Sequence, residues 1–142
     1  MTRPIYESIS DTTKEAIVAE TLAAQFGVEV IKLANKYVFD HAIIQNKEIT
    51  GFMEIKVRTN PSTEYPDYLI SSDKIFRALL WKQMLGMNVF LVVQWTDLLG
   101  VHEIDPANDY PCRLAGRTDR GDIQDLEPCL FIPIKWFKPI KT

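Results

Sequence analysis

The fold is decided by residues 37–58, which read YVFDHAIIQNKEITGFMEIKVR. Two runs rich in β-branched and aromatic residues, Tyr37–Ile44 and Ile49–Arg58, flank the polar segment Gln45–Glu48. Apolar runs of this length on either side of a short polar segment are typical of two strands joined by a turn. We therefore predict that residues 37–58 form a β-hairpin.

The predicted hairpin carries charged side chains in otherwise apolar strands. Because side chains alternate between the two faces of a strand, Glu54, Lys56 and Arg58 share one face of the second strand. Asp40 interrupts the first strand, and aspartate is disfavoured in strands and rarely buried without a partner. Taken alone, Asp40 is readily explained as a strand-end residue that caps a turn or pairs with an arginine. The second strand is likewise explained as a half-solvated strand with a salt-bridged polar face.

Pairing of the two strands would bring Asp40 near Glu54 and Lys56. Two carboxylates side by side repel each other unless a cation lies between them. Mg²⁺ and Mn²⁺ take oxygen ligands of this kind, and an adjacent ammonium group can orient a water or offset charge on a phosphate. The hairpin therefore indicates a divalent metal site whose chemistry is directed at a phosphate.

The rest of the chain alternates helix and strand signals. A capping-box pattern opens the first helix, glycines close both helices, and the last strand contains a proline, which is typical of a sheet edge. The predicted elements around the hairpin are a helix from Thr12–Glu15 to Gly27, a strand at Val28–Leu33, a loop containing Pro61 and Pro66, a helix at Asp73–Leu85 capped by Ser71 or Ser72 and stopped by Gly86, a buried strand at Asn88–Trp95, a short strand at Val101–Ile104, a long surface loop at 105–128, and an edge strand at Leu130–Phe137. This αβββαβ order predicts an α/β fold with a mixed central sheet and flanking helices. We expect one domain, with its core at about residues 12–95.

Composition and missing motifs exclude several functional classes. The 142 residues carry a net charge of -3, which argues against a protein that coats nucleic acid, but not against an enzyme whose carboxylates bind metal ions. The sequence has neither a GxxxxGK(S/T) phosphate loop nor a GxGxxG motif, so no nucleotide cofactor is expected. The longest apolar run, Val89–Val93, is too short to cross a membrane, and a secretory signal is not expected. Cys112 and Cys129 fit reduced thiols in the cytoplasm better than a zinc site.

Asp40 and the triplet Glu54-Ile55-Lys56, set in the αβββαβ order, resemble the PD-(D/E)xK nuclease superfamily. The spacing looks most like the branches that contain Holliday junction resolvases and phage nucleases, and the resemblance covers about residues 12–95. Phe39 stands where the motif has its proline. A literal Pro-Asp occurs at Pro66-Asp67, but no D/E-x-K follows it at a suitable distance, so we assign it to a loop.

The resemblance implies a metal-dependent nuclease that hydrolyses phosphodiester bonds in DNA, with selectivity for branched or junction DNA. Asp40, Glu54 and the backbone carbonyl of Ile55 would hold one or two Mg²⁺ ions, for which Mn²⁺ would substitute. Lys56 would position or activate the attacking water. Cleavage of a junction would involve a homodimer, because two strands are cut symmetrically. An enzyme of this kind encoded by a phage would act in the host cytoplasm.

The same branches have a glutamate on the helix ahead of the acid strand. Glu15 matches that position best and would bind a second ion directly or through water. Glu20 is the competitor, and for either residue the alternative is a solvated helix face.

Basic residues are candidates for contacts with DNA. Lys74 lies at the N-terminus of the second helix, where backbone N–H groups favour a phosphate, and Arg77 lies on the same face. The other candidates are Arg58, Arg117 and Arg120, although aspartates near the last two would equally neutralise them. The alternative for the helix is a solvated face beside a core stripe of Ile75, Phe76, Leu79 and Leu80.

Two other interpretations stay open. The chain could be a non-catalytic module on the same fold that binds nucleic acid or a protein, with Asp40 and Lys56 forming a structural ion pair. It could also be a generic α/β domain with a chance Glu-x-Lys triplet, in which case Asp40 and Glu54 would lie on opposite faces of the sheet.

Overall fold

The computed structural model describes residues 9–34, 39–116 and 126–141. Two helices, α1 and α2, occupy Ile9–Phe26 and Ser72–Leu85. The strands are β1 (Glu29–Lys32), β2 (His41–Gln45), β3 (Glu48–Val57), β4 (Asp67–Ser71), β5 (Asn88–Gln94), β6 (Leu99–Glu103), β7 (Cys112–Gly116), β8 (Leu126–Pro133) and β9 (Lys138–Pro139), with a short 3-10 helix at Ile134–Trp136. In this part of the chain no helix is long and apolar enough to cross a membrane.

The main sheet contains six strands in the order β1-β2-β3-β5-β6-β9. β2 and β3 form the predicted antiparallel hairpin, and its turn residues Asn46 and Lys47 have φ angles of 53° and 65°. Positive φ at both central residues matches the right-handed twist of the flanking strands. β3 then pairs in parallel with β5, so that Ile55 lies opposite Val92. The predicted mixed sheet is thus confirmed.

Alternation along β3 divides the core into two layers. Met53 and Ile55 pack against α1 through Val18 and Leu22. On the opposite face Phe52 joins the larger core that α2 covers. The sheet is therefore buried on both faces at β3, and the predicted alternation of this strand is confirmed.

The structure contains a second sheet, β4-β8-β7, that the sequence analysis did not predict. Asp67–Ser71 was assigned to a loop, and Cys112–Gly116 to the long surface loop at 105–128, yet both are strands. β8 is the central strand of this sheet, so its assignment to an edge was wrong. Pro133 is tolerated because it occupies the last position of β8. Residues 117–125 of the predicted loop lie outside the described residues.

Two element boundaries differ from the prediction, and two others agree with it. α1 begins at Ile9, so the capping-box pattern at Thr12–Glu15 lies inside the helix and does not start it. β2 begins at His41, so Asp40 precedes the strand and does not interrupt it. Both glycine stops are confirmed, because Gly27 and Gly86 have φ angles of 64° and 65°.

The core-facing side of α2 also differs from the prediction. Phe76 and Leu80 were expected in the core but are 60% and 50% exposed. The helix packs on the sheet through Ile75, Ala78 and Trp81, whose indole makes edge contacts with the rings of Phe39 and Phe52. Because Ile75, Ala78 and Trp81 define the face of α2 that contacts the sheet, Phe76 and Leu80 lie outside that face and are exposed.

Gly51 allows β3 to run beside β5. A Cβ atom at this position would lie 2.8 Å from the backbone carbonyl oxygen of Asn88. We predict that Gly51→Ala lowers the free energy of unfolding by about 1–3 kcal/mol, because a backbone atom cannot move aside as a flexible side chain can. Urea denaturation measures the change. The neighbouring Thr50→Ala, at an exposed site, serves as the control, and equal effects of the two substitutions would contradict this account.

Candidate active site

Asp40 is held at the end of the main sheet by a backbone hydrogen bond from the end of β1 and by the buried side chain that precedes it. The backbone N–H of Leu33 donates to the carbonyl oxygen of Asp40 at 2.7 Å, which extends the pairing of β1 with β2. Phe39, at the position of the motif's proline, is 1% exposed, and its ring lies 5.1 Å from that of Trp81. An anchored aromatic side chain therefore fixes the backbone at Asp40 while the carboxylate stays partly exposed.

Glu54 is a buried carboxylate with two lysine partners. Its side chain is 2% exposed, and Oε1 lies 3.1 Å from Nζ of Lys56 and 2.9 Å from Nζ of Lys74. Lys56 reaches it from the same face of β3. Lys74 comes from the first turn of α2, which lies near the carboxyl end of β3 because α2 connects the parallel strands β3 and β5. The other oxygen, Oε2, is buried and accepts no hydrogen bond from the described residues.

The two carboxylates interact, and their pKa values move in opposite directions. Burial raises the pKa of Asp40, and the negative charge of Glu54 raises it further. Burial alone would also raise the pKa of Glu54, but Lys56 and Lys74 outweigh it and hold this pKa below its ordinary value. Asp40 and Glu54 therefore lie close enough to share one electrostatic environment.

Lys56 is held in its protonated form. Burial disfavours the ammonium, but the carboxylates of Glu54 and Asp40 outweigh this effect and raise the pKa of Lys56. In this state Lys56 can orient a water or offset negative charge, but it carries no free lone pair with which to accept a proton.

The structure distinguishes the two helical glutamates. Glu15 is 5% exposed, whereas Glu20 is exposed. Nζ of Lys32 lies 3.9 Å from Oε2 of Glu15 and 3.8 Å from Oδ1 of Asp40. Lys32, which the sequence analysis did not identify, thus links Glu15 to the site. It shares a face of β1 with Val30, which packs against the α1 side of the sheet, so strand alternation could have identified it.

The donor set fits a hard divalent ion held by few protein ligands. Among the described residues, no three His, Cys, Asp or Glu side chains converge to form a metal cluster. Mg²⁺ is commonly bound through one or two carboxylates, with waters and substrate phosphates completing its shell. Asp40 and the buried Oε2 of Glu54 provide two such oxygens.

Three of the five predicted DNA-binding residues lie in the described part of the chain, and each has a different contact. Lys74 belongs to the carboxylate cluster, where it contacts Glu54. Arg77 is exposed and pairs with Asp73 one turn earlier in α2, at 3.2 Å. Arg58 donates a hydrogen bond to the hydroxyl of Tyr68 at 2.7 Å. The remaining two, Arg117 and Arg120, lie outside the described residues.

We predict that the two acids affect stability with opposite signs when divalent cations are absent. At about pH 7, Glu54→Gln should lower the free energy of unfolding by about 1–3 kcal/mol, because it removes a charge held by two lysines. The contribution of Glu54 to the free energy of unfolding is complete above the ordinary pKa of glutamate. It is lost as the pH falls through the lowered pKa that Glu54 has in the folded protein. Because the pKa of Asp40 is raised, Asp40→Asn should instead stabilise the protein.

That stabilisation should be complete above the raised pKa of Asp40 and should vanish as the pH falls to the ordinary pKa of aspartate. Urea denaturation of both variants across this pH range, with a chelator present, measures the effects. Changes of the same sign at neutral pH would contradict the electrostatic description of the site.

The chain is similar to known proteins both in sequence and in fold. A family model described as "Phage putative PDDEXK endonuclease" matches residues 1–140. In solved structures, the fold is similar to Hjc, a Holliday junction resolvase from the archaeal hyperthermophile Archaeoglobus fulgidus, with a TM-score of 0.59, 12% identity and 90% of each chain covered. It is also similar to a nuclease from a fusselovirus, with a TM-score of 0.53, 15% identity, and 96% of this chain and 90% of the other covered.

No curated protein matches the sequence. The predicted fold class and the resemblance to PD-(D/E)xK nucleases are confirmed. Because the family model spans nearly the whole length, the chain belongs to the family of phage PDDEXK endonucleases.

Proposed function

We propose that this protein is a Mg²⁺-dependent endonuclease that hydrolyses phosphodiester bonds in DNA, with Mn²⁺ able to replace Mg²⁺. The observation that carries the proposal is the buried carboxylate of Glu54, which contacts two lysines. The carboxylate of Asp40 interacts with it and has a raised pKa. Perturbed carboxylates paired with specific cations are typical of catalytic sites.

Each residue of the cluster has a role in this proposal. Asp40, Glu54 and the carbonyl of Ile55 would hold the metal ion, which would supply Lewis acidity at the phosphate. Lys56 orients the attacking water and offsets the charge that develops on the phosphate. Lys74, at the positive end of α2, would provide a second cation for a phosphate. Glu15 would bind a second ion directly or through water.

Branched DNA, including four-way junctions, is the substrate we propose. Support comes from the similarity in fold to a protein whose solved structure is described as a Holliday junction resolvase. Since a junction presents two equivalent strands, we also propose that a homodimer cuts them. Phe76, Leu80 and Met84 form an exposed apolar row along α2 that is available for such a contact. Cys112 and Cys129 fit reduced thiols, which supports action in the reducing cytoplasm of the host.

We predict cleavage that requires a divalent metal and the carboxylate cluster. With Mg²⁺ or Mn²⁺, the protein should cut DNA from a panel of supercoiled, linear duplex, single-stranded, three-way and four-way substrates, with an RNA duplex included for comparison. Asp40→Asn, Glu54→Gln and Lys56→Ala should each lower the rate by about 100-fold or more, because each removes a metal ligand or the water-orienting cation. Chelation of the metal should abolish cleavage.

Glu48→Gln is the matched control for Glu54→Gln, since Glu48 is an exposed glutamate on the same strand. It should leave the rate unchanged. Undiminished cutting by the three cluster variants would refute the site, and DNA binding without cleavage in either metal would favour the non-catalytic module.

Glu15 and Glu20 provide a second matched comparison. We predict that Glu15→Gln lowers the cleavage rate and raises the Mg²⁺ concentration needed for half-maximal activity, because it removes an acid that Lys32 links to Asp40. Glu20→Gln should change neither quantity. A metal titration of the cleavage rate measures both, and equal behaviour of the two variants would remove Glu15 from the site.

A further inference from the structure

A cavity lined by both polar and apolar side chains lies at the carboxyl end of β3, where Arg58 follows Lys56 by two residues. It has a volume of about 380 Å³, and its lining includes Arg58, Tyr65, Tyr68, Asn60 and Asp67. The proposed catalytic roles use none of these residues. The cavity therefore calls for a separate explanation.

β3 leads from the carboxylates to this cavity. Glu54, Lys56 and Arg58 are every second residue and project from the same face, so their positions are spaced by about 7 Å. This spacing is comparable to the separation of successive phosphates along one nucleic-acid strand. A strand whose scissile phosphate lies at Glu54 and Lys56 would thus bring its next phosphate to Arg58.

Tyr68 holds Arg58 at the edge of the cavity. The phenol accepts a hydrogen bond from the guanidinium at 2.7 Å, and the guanidinium carbon lies 5.4 Å from the centre of the ring. Tyr68 is itself 7% exposed and packs edge-on against Trp95 and Phe137. Arginine has five N–H donors in a rigid fork, so donation to one phenol leaves several for a phosphate. The buried ring therefore orients a cation that stays exposed to solvent.

The lining of the cavity also includes an exposed aromatic side chain, Tyr65. Its side chain is 62% exposed. The loop that carries Tyr65 is anchored by Asp97, which accepts hydrogen bonds from the backbone N–H and the hydroxyl of Ser62 at 2.7 and 2.8 Å. Exposed aromatic rings bind unpaired bases by stacking, whatever the base. Asn60 and Asp67 add polar groups that a base edge can use.

We propose that this cavity is a subsite for an unpaired nucleotide next to the scissile phosphate. Arg58, oriented by Tyr68, binds the adjoining phosphate, and Tyr65 stacks on the base. A base in a continuous duplex is not free to stack there, so the subsite favours DNA that is unpaired beside the cut, such as a branch point or a flap. This inference rests on the proposed nuclease function and names a specificity determinant for it.

The test compares a linear duplex with a flap substrate of the same sequence, using full-length protein. Arg58→Ala should raise KM for the flap about tenfold or more, because a charge-assisted contact is lost, while kcat changes little. The slope of log affinity against log salt concentration should fall by about 1, as expected for one lost phosphate contact. Tyr68→Phe keeps the ring and removes the hydroxyl, so it should also raise KM for the flap, but by a smaller factor than Arg58→Ala does.

Tyr65→Ala should lower affinity for the flap about tenfold through lost stacking and leave the salt slope unchanged. Lys138→Ala, which removes an exposed cation on the edge strand β9, is the control for loss of charge alone and should alter neither KM nor the preference for the flap. If the wild-type protein cuts DNA and the Arg58→Ala variant has an unchanged KM and salt slope, the proposed subsite is wrong. Failure of the wild type to cut any DNA would instead overturn the proposed function.

Discussion

The burial of the Glu54 carboxylate is the interaction on which the rest of the site depends. Removal of an unpaired carboxylate from water costs several kcal/mol, so a glutamate with 2% exposure persists only because cations approach it. One of them, Lys56, is supplied by the same strand. The other, Lys74, is supplied by α2, and it reaches Glu54 only because β3 and β5 are parallel and the helix between them starts at the carboxyl end of β3. The site therefore requires the parallel pairing of β3 and β5.

β3 builds the core and the site at the same time. Met53 and Ile55 fill the α1 side, while Phe52 and Glu54 face α2. Because the side-chain period of a strand is two, a slip of one residue would place the charges in the α1 core and the apolar side chains at the site. The register that gives the most favourable burial is therefore also the one that turns Glu54 and Lys56 toward α2 and brings Glu54 near Asp40.

Local patterns explain what could be predicted from the sequence. The hairpin, its polar turn and the shared face of Glu54 and Lys56 follow from short-range alternation, and each is present in the structure. The β4-β8-β7 sheet could not be recognised in this way, because its ladder joins Asp67 to Pro133, far apart in the chain, and each strand alone is short or interrupted by proline. Tyr68 was missed for the same reason, since its role arises from contacts between distant elements.

The central claim, that Asp40 and Glu54 form a metal centre, is tested most directly by crystals of the protein grown with Mn²⁺ and measured at the manganese absorption edge. The account predicts an anomalous peak about 2.1 Å from a carboxylate oxygen of each residue, with the Lys74 ammonium moved away from Glu54. A structure at saturating Mn²⁺ in which no ion lies between the two carboxylates, and in which both lysines still contact Glu54, would contradict this claim.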